Sequence, residues 1–346
     1  MPRSMRDIAK LAGVSSATVS RVLNGSSLVT AETARRVRKI IEDQGFVPNT
    51  SAITLKYGRS NTFGVIIPDI ANPFFTEFVK IFEALLVEHD QELLVANTDF
   101  HPTRMQQSVR RMLLRRVDGV VLLTSEVESE PFESLIRNKI PVVTTDRYLV
   151  ANGHSDIKID FKKGLDLVVA HLNDLGHRRI GFIGGSEGLI TSRVRRESFL
   201  EAMLKRGLTC LDGWLQDGDY KIGGGSAAME KILSLPERPT AIATANDLTA
   251  IGALRTAHAH GLNIPGDLSI VGCDDIEMSD IVYPPLTTIH TSRKDYAEML
   301  FHALRRIQKD ASLPGKEYTL GTSLVVRKST GPAKSTSMAS GGRRKR

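Results

Sequence analysis

RDIAKLAGVSSATVSRVLN, residues 6–24, reads as two short helices joined by a tight turn. Ile8, Ala9, Leu11 and Ala12 recur at helical spacing and make the apolar stripe of the first helix. Gly13 is the residue a sharp turn takes, and Ser15 has the side-chain oxygen that caps a following helix. In the second helix Val19, Val22 and Leu23 fall on one side, to pack on the first. Ser16, Ala17, Ser20, Arg21 and Asn24 fall on the other, a short polar face without acidic residues. Such a face suits a helix lying in the major groove of DNA. A helical hairpin whose polar face is merely solvated has the same spacing, so the rest of the chain must decide.

Outward from this pair, NGSSLVT makes a loop. Thr30 caps a third helix, TAETARRVRKIIEDQG, with Ala34, Val37, Ile40 and Ile41 at core spacing and Gly45 as its stop. Three helices of this length form a very small domain, marginal without a partner. Arg35, Arg36, Arg38 and Lys39 lie on or near its exposed side, to approach phosphates or simply to be solvated.

Charge is unevenly spread. Residues 1–60 hold ten Lys/Arg against four Asp/Glu, a net +6, and residues 333–346 hold five basic residues and no acidic one, a net +5. The 346-residue chain carries +7, so the segment between them is acidic, at −4. A basic head on a mildly acidic body points to a polyanion met by the head. Cys210 and Cys273 lie far apart without a partner motif, as reduced thiols of a cytosolic protein do, and are too few for a zinc site. The N-terminus MPRSMRDIAK has no apolar core of signal-peptide length, and nowhere do eighteen apolar residues run together. The expected location is the cytoplasm, at the nucleoid when DNA is bound, with no membrane partner.

From residue 62 the chain alternates. TFGVIIPD, ELLVANTD, DGVVLLTS, IPVVTTD, RIGFIGG, TAIATAND and LSIVGCDD read as buried strands. Helical patterns such as TEFVKIFEALLVEHD, TRMQQSVRRMLLRR and TAIGALRTAHAHG lie between most of them. This alternation predicts a doubly wound α/β body with parallel sheets.

DIAKLAGVSSATVSRVLNG and VTAETARRVRKIIEDQGFVPN closely resemble the head of the lactose-repressor family of bacterial transcription regulators. The likeness continues through ANPFF, RVDGVVL, LGHRRIGFIGG, ANDLTAIGAL, LSIVGCDD, PPLTTI and LVVRKST, over nearly all of residues 5–332. It implies an all-α helix-turn-helix domain over 1–48 and a hinge helix over 49–60 that folds when two copies meet on operator DNA. It also implies an effector-binding and dimerisation body over 61–332, of the periplasmic-binding-protein type. That body would have one lobe of about 61–159 with 290–318 and another of about 160–289 with 319–332, joined by crossovers near 159, 289 and 319. The tail, 333–346, is basic and of low complexity, and reads as disordered. It carries no leucine heptad, by which the tetrameric founder of the family pairs dimers, so a homodimer is expected.

The resemblance assigns DNA contacts to Ser4, Ser15, Ser16, Ala17, Thr18, Ser20, Arg21, Asn24, Leu55 and Lys56. Leu55 aligns with the family's leucine that wedges into the minor groove at the centre of an inverted-repeat site, kinking it. The family usually has a polar residue two places earlier, where this chain has Ile53, which puts hinge contacts from that position in doubt. For the effector, the strand-end rule for open α/β sheets selects Asp274 and Asp275, Asn246 and Asp247, and Asp146 with Arg147. Helix capping is the competing use of such residues, above all for Asp247 and Asp275. Alignment favours Asp274, then Arg195, with Thr191 from the same segment; Ser198 stands where the family commonly has Gly. Phe74 and Phe75, in ANPFF after a strand where a binding loop belongs, and Tyr220 could stack on a sugar or base ring. Arg193, Arg195 and Arg196 together suggest an acidic or phosphorylated sugar.

Enzyme function is not expected, and no cofactor or metal is. GFIGGSEG and KIGGGS miss the dinucleotide and phosphate-loop spacings, there is no HExxH pair, and no Ser/His/Asp order is legible. Asp274, Asp275, Glu277 and Asp280 could surround a divalent ion, but nothing sets their geometry. A free-standing sugar-binding protein would share the body yet need an export signal and no basic head. The expected protein is a DNA-binding regulator, a repressor controlled by a small molecule, a sugar or sugar derivative, in an inter-lobe cleft.

Overall fold

Ser4 opens the first helix, α1 (Met5–Ala12), with a reciprocal cap: its Oγ accepts the Asp7 N–H at 3.3 Å and the Asp7 carboxylate accepts the Ser4 N–H at 2.8 Å. Gly13, at φ 63, ends it in the left-handed region that a residue without Cβ enters freely. Ser15 then caps α2 (Ser16–Leu23), its Oγ accepting the Thr18 N–H at 3.1 Å, and Thr30 caps α3 (Ala31–Asp43) through the Thr33 N–H. Ile8, Ala9, Ala12, Val19, Val22 and Val37 form the buried core of the head. Leu11 does not join them: it is 50% exposed. Three short helices enclose too narrow an arc of α1 to cover a side chain on the flank of its stripe.

The structure is a computed structural model that describes residues 4–23, 26–46, 59–124, 129–310 and 313–334. The chain divides into two compact units, Met1–Ser60 and Asn61–Arg346. Asn24, the hinge residues Ile53, Leu55 and Lys56, and all but the first two residues of the tail lie outside the described residues.

In the body the apolar runs become strands, those inside the sheets buried on both faces as parallel strands between helices must be, while the edge strand from ELLVANTD is only half-buried. The first sheet contains β1 (Thr62–Ile67), β2 (Glu92–Asn97), β3 (Gly119–Leu122), β4 (Val142–Thr145), β5 (His154–Ile159) and β11 (Glu317–Leu320), in the order β11-β5-β4-β3-β1-β2, all parallel. The second contains β6 (Ile180–Ile183), β7 (Leu215–Gln216), β8 (Ala241–Thr244), β9 (Ser269–Asp274), β10 (Thr287–Thr291) and β12 (Thr322–Val325). Its order is β12-β10-β9-β8-β6-β7, with β12 antiparallel to β10. The chain passes between the sheets after Ile159, after Thr291 and at Gly321. These short passes set the carboxyl ends of both sheets against one another across a cleft.

On the first sheet, α4 (Pro73–Val87) and α12 (Arg293–Lys309) cover one face, while α5 (Pro102–Arg115) and α6 (Ser129–Arg137) cover the other. The second sheet lies between α7 (Phe161–Asp174) with α8 (Ile190–Lys205) and α9 (Ile222–Leu233) with α10 (Asp247–Ala259). A short helix, α11 (Met278–Ile281), follows β9. The sequence places Phe74 and Phe75 in a loop, but they belong to the first turn of α4. Pro73 can occupy the first helical position because no N–H is needed there, and Asn72 caps it by accepting the Phe74 N–H at 3.0 Å.

Candidate functional site

The head offers its face through α2. Ala17 and Arg21 are exposed, Ser16, Thr18 and Ser20 are half-buried, and the first turn of the helix has no acidic residue. The hydroxyls of Ser4, Ser15 and Thr18 already serve the caps, with Ser15 and Thr18 3.0 Å apart. Arg21 is the long side chain of this face that can reach a base edge.

In the body, Phe74, Phe75, Asp146, Thr191, Arg195, Tyr220, Asn246 and Asp274 all line one cavity, about 750 Å³ including its open mouth, between the carboxyl ends of the two sheets. Each arrives by a different local device. Asp146 follows β4 in a left-handed conformation, φ 53, and its Oδ1 accepts the Ile159 N–H at 2.8 Å across the first crossover. Asp274 ends β9 at φ 115, and Asn246 caps α10, accepting from Thr249 N–H and hydroxyl while donating to the Tyr220 carbonyl at 3.0 Å. Thr191 and Arg195 project from successive turns of α8. The Tyr220 hydroxyl lies 3.1 Å from Thr191 Oγ1 and accepts from Ser192 Oγ at 3.0 Å. Gly185 makes room for that ring, since a Cβ there would lie 2.1 Å from it.

Arg195 is the electrostatic centre. Its guanidinium lies 4.0 Å from the Phe161 ring centroid and donates to the Ala245 carbonyl, while its buried Nε has no partner among the described residues. Burial opposes its charge, but Cys273, Tyr220, Asp274 and Asp146 around it together hold its pKa above the ordinary value. Thr291 Oγ1, also on the cavity wall, is likewise buried and unpartnered. Unsatisfied polar atoms beside a hollow are where a ligand's hydroxyls fit.

Burial pushes the Asp146 carboxyl up to about 7, against the pull of the Ile159 N–H and of Arg195. Asp274 is also raised by burial, with Arg195 and Arg293 opposing. A carboxyl whose folded value exceeds its unfolded one, about 3.9, contributes stability fully present below the latter and lost as pH rises through the former. Without ligand, wild type should therefore melt lower relative to Asp146→Asn at about pH 7.5 than at about pH 5.5. Calorimetry giving the same gap at both would mean that Asp146 is ionised throughout.

Other candidates do not converge there. Asp247 is fully buried and accepts from the Ile276 N–H and from the hydroxyls of Ser279 and Thr288, so it ties three segments together instead of capping α10. Asp275 pairs with Arg327 and His290, at 2.7 and 2.8 Å, and Asp280 also meets Arg327, so these two carboxylates are engaged by a shared arginine while Asp274 lines the cavity. Arg147 stacks on Phe132, 4.3 Å from its centroid. The three arginines do not make a cationic mouth: Arg196 pairs with Asp217 at 3.1 Å, Arg193 is exposed, and of the three Arg195 lines the cavity, among carboxylates.

Several lining residues were not picked from the sequence. Asp69, Thr124, Thr145 and Thr291 follow or end strands, so the strand-end rule could have found them. Asn72 lies within the ANPFF motif itself. Phe100 and Tyr296, whose hydroxyl meets Thr145 Oγ1 at 2.5 Å, carried no local signal.

A head built to lie in a groove and a hinged α/β body with a polar hollow between its lobes define a ligand-responsive DNA-binding protein. Residues 4–49 match the family model of bacterial regulatory proteins of the lacI family, and residues 169–330 that of the periplasmic binding protein-like domain. The ribose operon repressor of Escherichia coli (strain K12) is 35% identical over 303 residues, 87% of this chain and 92% of that one. The lac repressor dimer bound to operator and the anti-inducer ONPF superposes with a TM-score of 0.84 at 26% identity, covering 96% of this chain and 100% of that one. A LacI family transcriptional regulator from Enterococcus faecium with bound ribose gives 0.71 at 26% identity, over 79% and 100%. The chain belongs to the lacI family of bacterial regulatory proteins. It is a DNA-binding transcription regulator and not an enzyme. Among the described residues no helix is long and apolar enough to cross a membrane.

Proposed function

We propose that the protein is a cytoplasmic homodimeric repressor, released from or held on an inverted-repeat operator by a neutral polyhydroxylated ligand, a free sugar of ribose size. The observation that carries this is the unpartnered Arg195 Nε and Thr291 Oγ1 in a cavity where Arg195 stands among Asp146 and Asp274. Carboxylates and a guanidinium orient hydroxyls by charge-assisted hydrogen bonds, and Phe74, Phe75 and Tyr220 supply apolar faces for a ring. A phosphorylated sugar would meet three acidic side chains, Asp69, Asp146 and Asp274, with one arginine to oppose them. The named relative and the ribose-bound structure point the same way. Ligand controls DNA binding through its differential affinity for two lobe arrangements.

A thermal-shift screen tests the ligand class, because a ligand that binds the folded state raises its melting temperature. Ribose and related neutral sugars should raise it, and their phosphates should not. A rise with sugar phosphates or nucleobases alone would overturn the assignment.

In the head, Arg21→Ala is expected to cost about 1–3 kcal/mol on the preferred site and to relax base preference at the position it reads. Titrations on site variants check this. Equal weakening on every sequence would make Arg21 a phosphate contact.

Dimerisation is supported by an apolar patch on the second lobe. Ile281 is 81% and Tyr283 86% exposed, and Met278 stands open beside them. The segment of exposed Val326 runs alongside, with the Lys328 N–H donating to the Pro285 carbonyl. Large apolar side chains grouped in this way are ordinarily covered by a partner.

A further inference from the structure

The acidic body carries a stretch of opposite sign on helix α5. Along SVRRMLLRR, residues 108–116, Ser108, Val109 and Met112 turn inward while Arg110, Arg111, Arg115 and Arg116 are exposed. Among the described residues these four form no ion pair, whereas Arg104, earlier on α5, pairs with Asp99 at 3.3 Å. Their place in the fold is specific. Arg116 ends α5 at φ 51, and two residues on, the Asp118 carboxylate accepts the Asn61 N–H at 3.0 Å while the Asp118 N–H donates to the Thr62 carbonyl at 2.8 Å. Arg115 and Arg116 thus lie at the end of the first lobe where the chain enters the body at Asn61, with Arg110 and Arg111 on the preceding turns of the same helix. Of the acidic residues near that end, Asp118 is engaged with the Asn61 N–H, Glu88 and Asp90 lie in the turn after α4 and Glu92 opens β2, and α4 packs on the opposite face of the sheet from α5.

We propose that Arg110, Arg111, Arg115 and Arg116 form a second DNA-binding surface, on the body itself, that holds backbone phosphates of duplex flanking the site read by the head. Guanidinium forks match phosphate oxygens in pairs, and each phosphate neutralised releases condensed counterion. Leu114, 74% exposed among the arginines, is a single apolar side chain, and isolated ones are ordinary on protein surfaces. The patch is therefore made for a polyanion and not for an apolar protein interface.

The test uses the full chain with a random-sequence duplex of about 40 base pairs, long enough to extend past the head, and reads the dependence of binding on salt. Changing all four arginines to Gln should lower the slope of log affinity against log salt by about 0.9 for each phosphate no longer neutralised, about 2 or more in all. Changing all four to Lys, which keeps the charge, should retain most of the slope. An unchanged slope in the Gln variant sinks the proposal, and an acidic protein would then be the partner to seek. Equal weakening in the Lys and Gln variants sinks it too, because the effect would not be one of phosphate charge. Wild type that showed no salt-dependent binding would sink the proposal as well, whereas loss of sequence preference with the slope intact would count against the head alone.

Discussion

Replacing Tyr283 by Asp, together with Ile281→Asp, is expected to leave a folded chain that is monomeric and to weaken binding to an inverted repeat by a factor of about a hundred or more. Both side chains lie almost wholly in solvent, so the change disturbs no core packing within the chain. A buried pair of carboxylates at a two-fold interface would instead leave uncompensated charge on both copies. Once the heads are unlinked, the second half-site is no longer met at the high effective concentration of a tethered head, which is worth about 10²–10⁴ in avidity. Light scattering and operator titration together check this. A dimer that survives the double change would move the interface elsewhere on the body.

The second large effect belongs to the cavity. Asp274→Asn keeps the shape of the side chain but removes its charge beside Arg195. Losing a charge-assisted hydrogen bond in a closed cleft costs about 1.5–3 kcal/mol, so the effector concentration for half-response should rise roughly ten- to a hundredfold. Operator affinity without effector should stay in place, since the substitution touches neither the head nor the exposed patch at Tyr283. An unshifted response would take Asp274 out of the site. A collapse of operator binding without effector would make it a structural residue, like Asp247 beside it.

The legible part of this protein was the part written in local periodicity. Ser15 as a cap, Gly13 as the turn and Thr30 at the third helix follow from side-chain oxygens and a missing Cβ acting within four residues, and all three stand in the structure. Continuous apolar runs become strands because their residue types favour a buried parallel sheet. Leu11 shows the limit: its spacing fits the stripe, yet how much of a helix is covered depends on what surrounds it.

The cavity lies beyond that limit. Asp146, Arg195, Tyr220 and Asp274 come from four separate places in the chain, two loops, a helix and a strand end, and resemblance together with the strand-end rule could name them without saying which charge balances which. Packing decided that Arg195 faces two carboxylates while Arg196 turns to Asp217, and that Asp275 serves Arg327 while its neighbour Asp274 faces the hollow. Adjacent residues in a chain point in different directions, and long-range partners set which direction matters. A one-dimensional pattern therefore carries residue type and spacing, while electrostatic balance and burial exist only after distant strands have met.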